Sequence, residues 1–126
     1  MATILIMDDE EAILGFLKQR LMGEGFNVLT ASDGKEGMNL FNDNQVDLVI
    51  TDIIMPDKDG FETIMELKNI SPNIKIIAMS GGGHGKPKYY LDTARSSGAK
   101  YTIEKPFKTI ELVEAVHELL KKEKAS

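Results

Sequence analysis

The stretch "TILIMDDEE", Thr3 to Glu11, decides the fold class of this 126-residue chain. It is a nearly continuous apolar run, Thr3–Met7, that ends abruptly in four acidic residues. A short apolar run without alternation is typical of a strand buried on both faces, as in parallel sheets that helices cover on both sides. The opening residues therefore predict a buried parallel strand that delivers Asp8 and Asp9 to one edge of a sheet.

Further apolar runs alternate with helical patterns along the rest of the chain. The helical patterns have apolar residues three and four apart, with cap or stop residues such as Gly, Ser, Asp and Pro at several of their ends. Strict alternation through short loops predicts an α/β fold, a doubly wound five-stranded parallel sheet with five helices. The predicted strands are Thr3–Met7, Phe26–Ala31, Val46–Thr51, Ile74–Ser80 and Ala99–Glu104. The predicted helices are one through Ile13–Leu21 that stops at Gly23 and Gly25, one capped by Ser32 or Asp33, Asp59–Ile70, Pro87–Ser97, and Thr109 to about Lys122.

Composition limits the class of protein. No linker or repeat interrupts the alternation, so we expect a single domain, residues 1–126, without an output domain. A net charge of −5 argues against general nucleic-acid binding, and the absence of cysteine excludes disulfides and thiolate metal sites. No apolar run approaches about 18 residues, and acids stand where a signal peptide would be apolar. We expect a cytoplasmic protein without membrane insertion.

Polar side chains follow the strands at the points where the strands end. Asp8 and Asp9 follow the first strand, Asp52 the third, Ser80 ends the fourth, and Lys105 follows the fifth. Ligands of such sheets bind outside the carboxyl ends of the strands. Neighbouring acids repel by roughly 1 kcal/mol per pair in water, so the cluster favours a bound cation. An all-oxygen set suits Mg²⁺, Mn²⁺ or Ca²⁺, and Mg²⁺ best leaves positions open for a phosphate.

Other interpretations of these residues compete with a metal site. Taken singly, the Asp8–Asp9 pair is typical of helix capping, and Asp52 and Lys105 are typical of exposed turns; their convergence favours a site. A flavodoxin-like FMN carrier would need a Ser/Thr-rich loop after the first strand, where this chain has "MDDEEA". A phosphatase with an aspartyl nucleophile would need Asp-x-Asp, and Ile54 stands at the second acidic position.

Four motifs together resemble the receiver domains of two-component response regulators: "ILIMDDEEAI", "DLVITDIIMPDKDG", "IAMSG" and "EKPF". The resemblance spans the whole chain and implies the strand order 2-1-3-4-5 with five helices. It also implies a stand-alone receiver that is phosphorylated by a sensor histidine kinase or a histidine phosphotransfer protein and signals to a downstream protein. Such a domain is not an enzyme beyond its own phosphorylation and dephosphorylation.

The same resemblance assigns the metal ligands. Asp9 would bind Mg²⁺, or Mn²⁺ in its place, directly, and Asp8 would bind it mainly through water. Asp52 and the backbone carbonyl of Ile54 would be the other ligands. These are oxygen donors, as Mg²⁺ prefers.

It also assigns the phosphoryl chemistry. Asp52 would be the phosphoacceptor, Lys105 would bridge to the phosphoryl oxygens, and Ser80 would donate a hydrogen bond to one of them. Ile54 and Gly82 offer no polar side chain to position an attacking water, so we expect slow hydrolysis of the acyl phosphate.

One feature differs from the family pattern, and a second, the glycine-rich loop, lies largely outside its motifs. Thr102 stands where the family usually has an aromatic residue, and Tyr101, one residue off, should face the opposite side of the sheet. The glycine-rich loop Gly81–Gly85 is expected to close over the site, with His84 as a solvated loop residue. Two alternatives stay open: a phosphate-independent binding module, and a receiver that is part of a larger regulator.

Overall fold

In the computed structural model the described residues are 1–53, 60–80 and 87–125, and side chains are described for all of these except 87–91 and 121–125. Within them, strands and helices alternate from end to end. The strands are β1 (Thr3–Met7), β2 (Asn27–Ala31), β3 (Leu48–Asp52), β4 (Lys75–Ser80) and β5 (Tyr101–Glu104). The helices are α1 (Glu11–Gly23), α2 (Gly34–Asp43), α3 (Gly60–Ile70), α4 (Pro87–Ser97) and α5 (Thr109–Ala125).

The five strands form one parallel sheet in the order β2-β1-β3-β4-β5. This confirms the predicted fold class and strand order. Met7 at the end of β1 is in register with Ala31 of β2 and with Thr51 of β3. Because neighbouring strands end at the same level, the residues that follow β1 and β3 share one edge of the sheet.

Each face of the sheet has its own apolar core, because successive strand residues point to opposite faces. On one face Leu5 and Val49 pack with apolar residues of α2, α3 and α4. On the other face Ile4 and Ile50 pack with apolar residues of α1 and α5. All four of these side chains are fully buried. The prediction that the apolar run Thr3–Met7 forms a strand buried on both faces is therefore confirmed.

Local hydrogen bonds explain where several elements begin and end. The Asp33 side chain accepts a hydrogen bond from the Glu36 N–H at 2.7 Å, and the Glu36 carboxylate accepts one from the Ser32 N–H at 2.8 Å. This reciprocal pair resembles a capping box and makes Asp33, of the two predicted candidates, the N-cap of α2. Helix α1 ends at Gly23, and Gly25 follows it with a φ of +97°, a conformation that favours glycine.

Some strands are shorter than predicted at their amino ends. The Phe26 N–H donates to the Leu21 carbonyl of α1, so Phe26 belongs to the turn and β2 starts one residue later. The Ile74 N–H likewise donates to the Ser71 carbonyl, which places Ile74 before β4. Ile74 is buried and Phe26 packs partly buried against the core, so an apolar residue alone does not distinguish a strand end from the preceding turn.

Among the described residues, no helix is both long enough and apolar enough to span a membrane. Residues 54–59 and 81–86 lie outside the described part of the chain. The expectations for Ile54, for Gly82 and His84, and for the loop Gly81–Gly85 therefore stay predictions.

Candidate functional site

Lys105 joins the ends of the central strands. The residue follows β5, and its Nζ donates to Asp8 Oδ2 at 2.9 Å and to Asp52 Oδ2 at 3.1 Å. The ammonium also lies 3.4 Å from Glu10 Oε1, and the Lys105 side chain is only 12% exposed. One cation is thus shared by three carboxylates that come from two strand ends.

Asp8 is the most buried charged residue of the site. Its side chain is fully buried, and its Oδ1 accepts a hydrogen bond from the Glu10 N–H at 2.9 Å. Burial raises the pKa of the Asp8 carboxyl above its ordinary value, although the Glu10 N–H and Lys105 both favour the charged form. Burial therefore destabilises the charged form of Asp8 more than the Glu10 N–H and Lys105 stabilise it.

The pKa of Lys105 moves in the direction expected for a cation among anions. Burial alone would lower it, but the hydrogen bonds and charges of Asp8 and Asp52 outweigh burial and raise it. Lys105 therefore stays an ammonium at neutral pH and can offset negative charge in the pocket.

Asp52 is the last residue of β3 and is buried at the sheet edge. Its backbone is in register with Met79 of β4, and its carbonyl accepts a hydrogen bond from Oγ1 of the preceding residue, Thr51, at 3.0 Å. One side-chain oxygen faces Lys105. A carboxylate at a rigid strand end is well placed to act as a nucleophile, because its position is set by the sheet.

Gly60 holds α3 close to the end of β3. A Cβ at Gly60 would lie 2.4 Å from Ile53 Cα and 2.7 Å from the Asp52 carbonyl oxygen. These are backbone atoms that cannot move aside, so only glycine fits here. The Gly60 N–H also donates to the Ile53 carbonyl at 2.5 Å. The glycine that ends "MPDKDG" thus determines how closely α3 approaches Asp52.

Ser80 contributes a hydroxyl without a partner. It ends β4 and is 1% exposed, and its Oγ has no hydrogen bond to any residue in the described part of the chain. Its backbone carbonyl, by contrast, accepts a hydrogen bond from the Lys105 N–H at 2.6 Å, which ties β4 to the residue that carries the ammonium. A buried hydroxyl without a partner is costly, and such groups often await a ligand.

Three carboxylates approach one another closely enough to hold a cation. One oxygen each of Asp8, Glu10 and Asp52 can be chosen so that all lie within 4.8 Å of one another. Asp9, which the resemblance assigns as the direct metal ligand, is exposed and is not a member of this set. Ile54 lies outside the described residues, so its carbonyl stays a prediction.

Glu10 is the site residue that the sequence analysis missed. Its only sequence signal is its place in the run "DDEE", where four acids look alike. Which of them turns towards Lys105 depends on the path of the chain from β1 into α1. Glu10 occupies the N-cap position of α1 with an extended backbone, which aims its side chain back to the sheet edge.

Tyr101 and Thr102 face opposite sides of β5, as predicted. Tyr101 packs against the core on the α1 and α5 face. The Thr102 hydroxyl accepts a hydrogen bond from Arg95 Nη2 of α4 at 2.8 Å. The position where the family usually has an aromatic residue is thus occupied here by a polar contact between α4 and β5.

Fold and site together define a class: a doubly wound α/β protein with an acidic, lysine-containing pocket at the carboxyl edge of its sheet. A profile described as the response regulator receiver domain matches residues 4–117. The chain therefore belongs to the response regulator receiver domain family of two-component systems.

Solved structures of receiver domain proteins resemble this chain along nearly its whole length. A response regulator receiver domain protein from Clostridium thermocellum has a TM-score of 0.90 at 35% identity, with 99% of this chain and 98% of that chain covered. A CheY-like receiver domain protein from Methanospirillum hungatei JF-1 has a TM-score of 0.89 at 31% identity, with 100% and 99% covered.

The similar curated proteins are longer. The transcriptional regulatory protein CpxR of Klebsiella pneumoniae is 34% identical over 122 residues, which are 97% of this chain and 50% of that protein. The DNA-binding transcriptional regulator NtrC of Azospirillum brasilense is 37% identical over 119 residues, or 94% of this chain and 24% of that protein. This chain spans half or less of the length of these relatives.

Proposed function

We propose that this receiver domain accepts a phosphoryl group on Asp52 from a phosphohistidine of a sensor histidine kinase or a histidine phosphotransfer protein. Receiver domains interact with kinases and phosphotransfer proteins, and the finer assignment is supported by one observation above all. The Lys105 ammonium contacts the Asp52 and Asp8 carboxylates together at a buried strand end. This arrangement holds a nucleophile and a compensating cation side by side.

The transfer needs little from the protein beyond placement and charge. An Asp52 oxygen forms the new bond to phosphorus, the phosphorus–nitrogen bond to the donor imidazole breaks, and the imidazole nitrogen keeps the electron pair and gains a proton. Lys105 offsets the negative charge of the transferred group, and the Ser80 hydroxyl, which no described residue engages, donates to one of its oxygens.

The residues fit Mg²⁺. Receiver domains bind Mg²⁺ at an acidic pocket, and Asp8, Glu10 and Asp52 form such a pocket here. The ligands are carboxylate oxygens, which suit a hard cation, and their charge exceeds that of Lys105. Asp8 and Asp52 would hold the ion, with Asp9 and the Ile54 carbonyl as the further predicted ligands, and Mn²⁺ as an alternative ion. The bound ion would neutralise negative charge on the phosphoryl oxygens.

A groove beside the pocket suits the docking of the phosphodonor protein. Its volume is about 390 Å³, and its lining includes Lys105 and Glu10 of the pocket. Most of the other lining side chains are apolar, among them Ile13, Phe16 and Phe107. Phe16 is largely exposed, as expected of a residue that a partner would cover. We propose that output passes to a downstream protein by contacts of this kind.

Domain organisation and location remain part of the proposal. Similar solved chains of receiver size support a stand-alone receiver, whereas the longer curated relatives support a receiver within a larger regulator. The mass of the protein isolated from its native source distinguishes the two. Fractionation of the same cells tests the predicted cytoplasmic location.

Treatment with a small acyl or amido phosphate, followed by intact-mass measurement, tests the phosphoacceptor. Wild type should gain the mass of one phosphoryl group with Mg²⁺ and none with EDTA, and Asp52→Asn should gain none. Asp43→Asn, an exposed acid at the end of α2, is the matched control and should behave as wild type. Equal phosphorylation of Asp52→Asn would exclude the assignment. An unmodified wild type would favour the phosphate-independent binding module.

A further inference from the structure

Glu10 stands at the mouth of the acidic pocket, between solvent and Lys105. Its side chain is 61% exposed, while the Asp8 side chain is fully buried and that of Asp52 nearly so. Its carboxylate lies 3.4 Å from Lys105 Nζ, and its backbone N–H donates to Asp8 Oδ1. Of the three carboxylates near Lys105, that of Glu10 is the most accessible from solvent.

The charges at the pocket do not balance. Among the described residues, three carboxylates, those of Asp8, Glu10 and Asp52, surround one ammonium, and these four groups sum to two negative charges. Of the three, only the Glu10 charge is not needed by the proposed transfer, because Asp52 is the nucleophile and Asp8 is the buried partner of Lys105. The exposed carboxylate therefore adjusts the potential of the site without taking part in the chemistry.

Such a charge acts in opposite directions on the two kinds of ion that the site handles. It attracts a divalent cation, and it repels an anionic phosphodonor, the more so the greater the negative charge of that donor. It also holds Lys105, which must turn to a phosphoryl group when one arrives.

We propose that Glu10 determines phosphodonor specificity: its carboxylate strengthens cation binding and selects against highly negative small donors. This inference rests on the proposed function. The chemical class that it disfavours is the small dianionic acyl phosphate. A phosphohistidine is affected less, because the docking contacts of its protein surface offset the repulsion.

The test compares Glu10→Gln with Glu11→Gln, which removes the same charge one residue further on, at an exposed position outside the carboxylate set. Mg²⁺ affinity is measured first, by calorimetry without any donor. Removing the Glu10 charge should weaken Mg²⁺ binding roughly tenfold, and removing the Glu11 charge should have a much smaller effect.

Phosphorylation rates are then measured at saturating Mg²⁺ with dianionic acetyl phosphate and with monoanionic phosphoramidate. The ratio of the two rates should rise roughly fivefold in favour of acetyl phosphate in Glu10→Gln, and should stay unchanged in Glu11→Gln. Both effects should shrink at high ionic strength, because Glu10 is exposed. A merely structural defect would weaken metal binding and slow both donors together.

An unchanged donor ratio in Glu10→Gln, or an equal change in Glu11→Gln, overturns the assignment of Glu10 while leaving Asp52 as phosphoacceptor. Failure of wild type to accept phosphate from either donor overturns the proposed function, and the assignment of Glu10 with it. Phosphorylation of wild type separates these cases, and the Mg²⁺ measurement tests the effect of Glu10 on cation binding independently, since it involves no phosphoryl transfer.

Discussion

The two ends of the sheet treat their polar groups differently. At the amino end, side chains complete the hydrogen bonding of the backbone. Asp47 Oδ2 accepts from the Thr3 N–H at 2.8 Å, and Lys68 Nζ donates to the Ile74 carbonyl at 2.8 Å. At the carboxyl end, three carboxylates share one ammonium, and the Ser80 hydroxyl has no partner among the described residues.

This difference shows where the fold gives up stability for function. Satisfied polar groups at the amino end cost little and pin the strand starts. Buried like charges at the carboxyl end, together with a hydroxyl that has no partner in the described part of the chain, destabilise the free protein. A ligand that brings positive charge and acceptor oxygens would remove that cost. The contrast leads to four predictions about stability, all made for the metal-free protein.

The largest effect is expected for Lys105→Met. It removes the only cation that contacts Asp8 and Asp52 among the described residues and leaves both carboxylates buried without it, so the free energy of unfolding should fall by about 3 kcal/mol. Lys68→Met at the amino end loses hydrogen bonds to two carbonyls and should cost about 1 kcal/mol. Urea unfolding in EDTA measures both. Equal losses would show that the two ends are energetically alike.

The next effect concerns the close approach of α3 to β3. Gly60→Ala forces a methyl group against the backbone of Asp52 and Ile53 and should destabilise by about 2 kcal/mol. Gly15→Ala is the matched control: a Cβ there meets nothing within 4 Å, and alanine in a helix should stabilise by about 0.5–1 kcal/mol. Relative to wild type, the Tm of Gly60→Ala should fall and the Tm of Gly15→Ala should rise. A neutral Gly60→Ala would mean that α3 can shift away from Asp52.

A smaller effect with the reverse sign is expected for Ser80. Ser80→Ala removes a buried hydroxyl that has no partner among the described residues, and it should raise the free energy of unfolding by up to about 1 kcal/mol. Thr51→Val removes a neighbouring buried hydroxyl that donates to the Asp52 carbonyl, and should lower stability by about 1 kcal/mol. If Ser80→Ala lowered the free energy of unfolding as much as Thr51→Val, the Ser80 hydroxyl would have a partner in solution. The amino and carboxyl ends of the sheet would then differ less in how they satisfy polar groups.

The fold was predictable because its signals are local and repeated. Alternation of buried strands with amphipathic helices left a doubly wound sheet as the natural solution, and errors were confined to element ends such as Phe26 and Ile74. The convergence of Asp8, Asp52, Ser80 and Lys105 followed from the topology, since parallel strands bring their carboxyl ends together.

The rest of the site depends on loop paths and three-dimensional contacts. No spacing rule distinguishes Asp9 from Glu10 in "DDEE", yet the first is exposed outside the carboxylate set and the second reaches Lys105. The contact of Arg95 with Thr102 links residues of α4 and β5 that no sequence pattern connects. Sequence thus predicted the residues that the strands place and missed a residue placed by the loop between β1 and α1.

The smallest predicted effect is on the pH dependence of stability, where the two lysines differ in sign. At the amino end, burial and the nearby Lys100 and Lys75 charges lower the pKa of Lys68 from its ordinary 10.5. Between the lowered value and 10.5 the unfolded chain binds more protons, so this group makes stability rise with pH. The pKa of Lys105 is raised above 10.5, so its contribution is complete below 10.5 and is lost as pH rises through the higher folded value.

Urea unfolding in EDTA from about pH 8 to pH 11 separates these contributions by difference. In wild type, Lys68 contributes a free energy of unfolding that rises with pH below 10.5, and Lys68→Met should lack this contribution. Lys105 contributes a free energy of unfolding that falls with pH above 10.5, and Lys105→Met should lack that one. The Lys68 component should be the weaker, because that side chain is only partly buried. Parallel curves for wild type and Lys68→Met across the window would show that burial and like charges do not act on Lys68, and that the amino end carries no electrostatic cost.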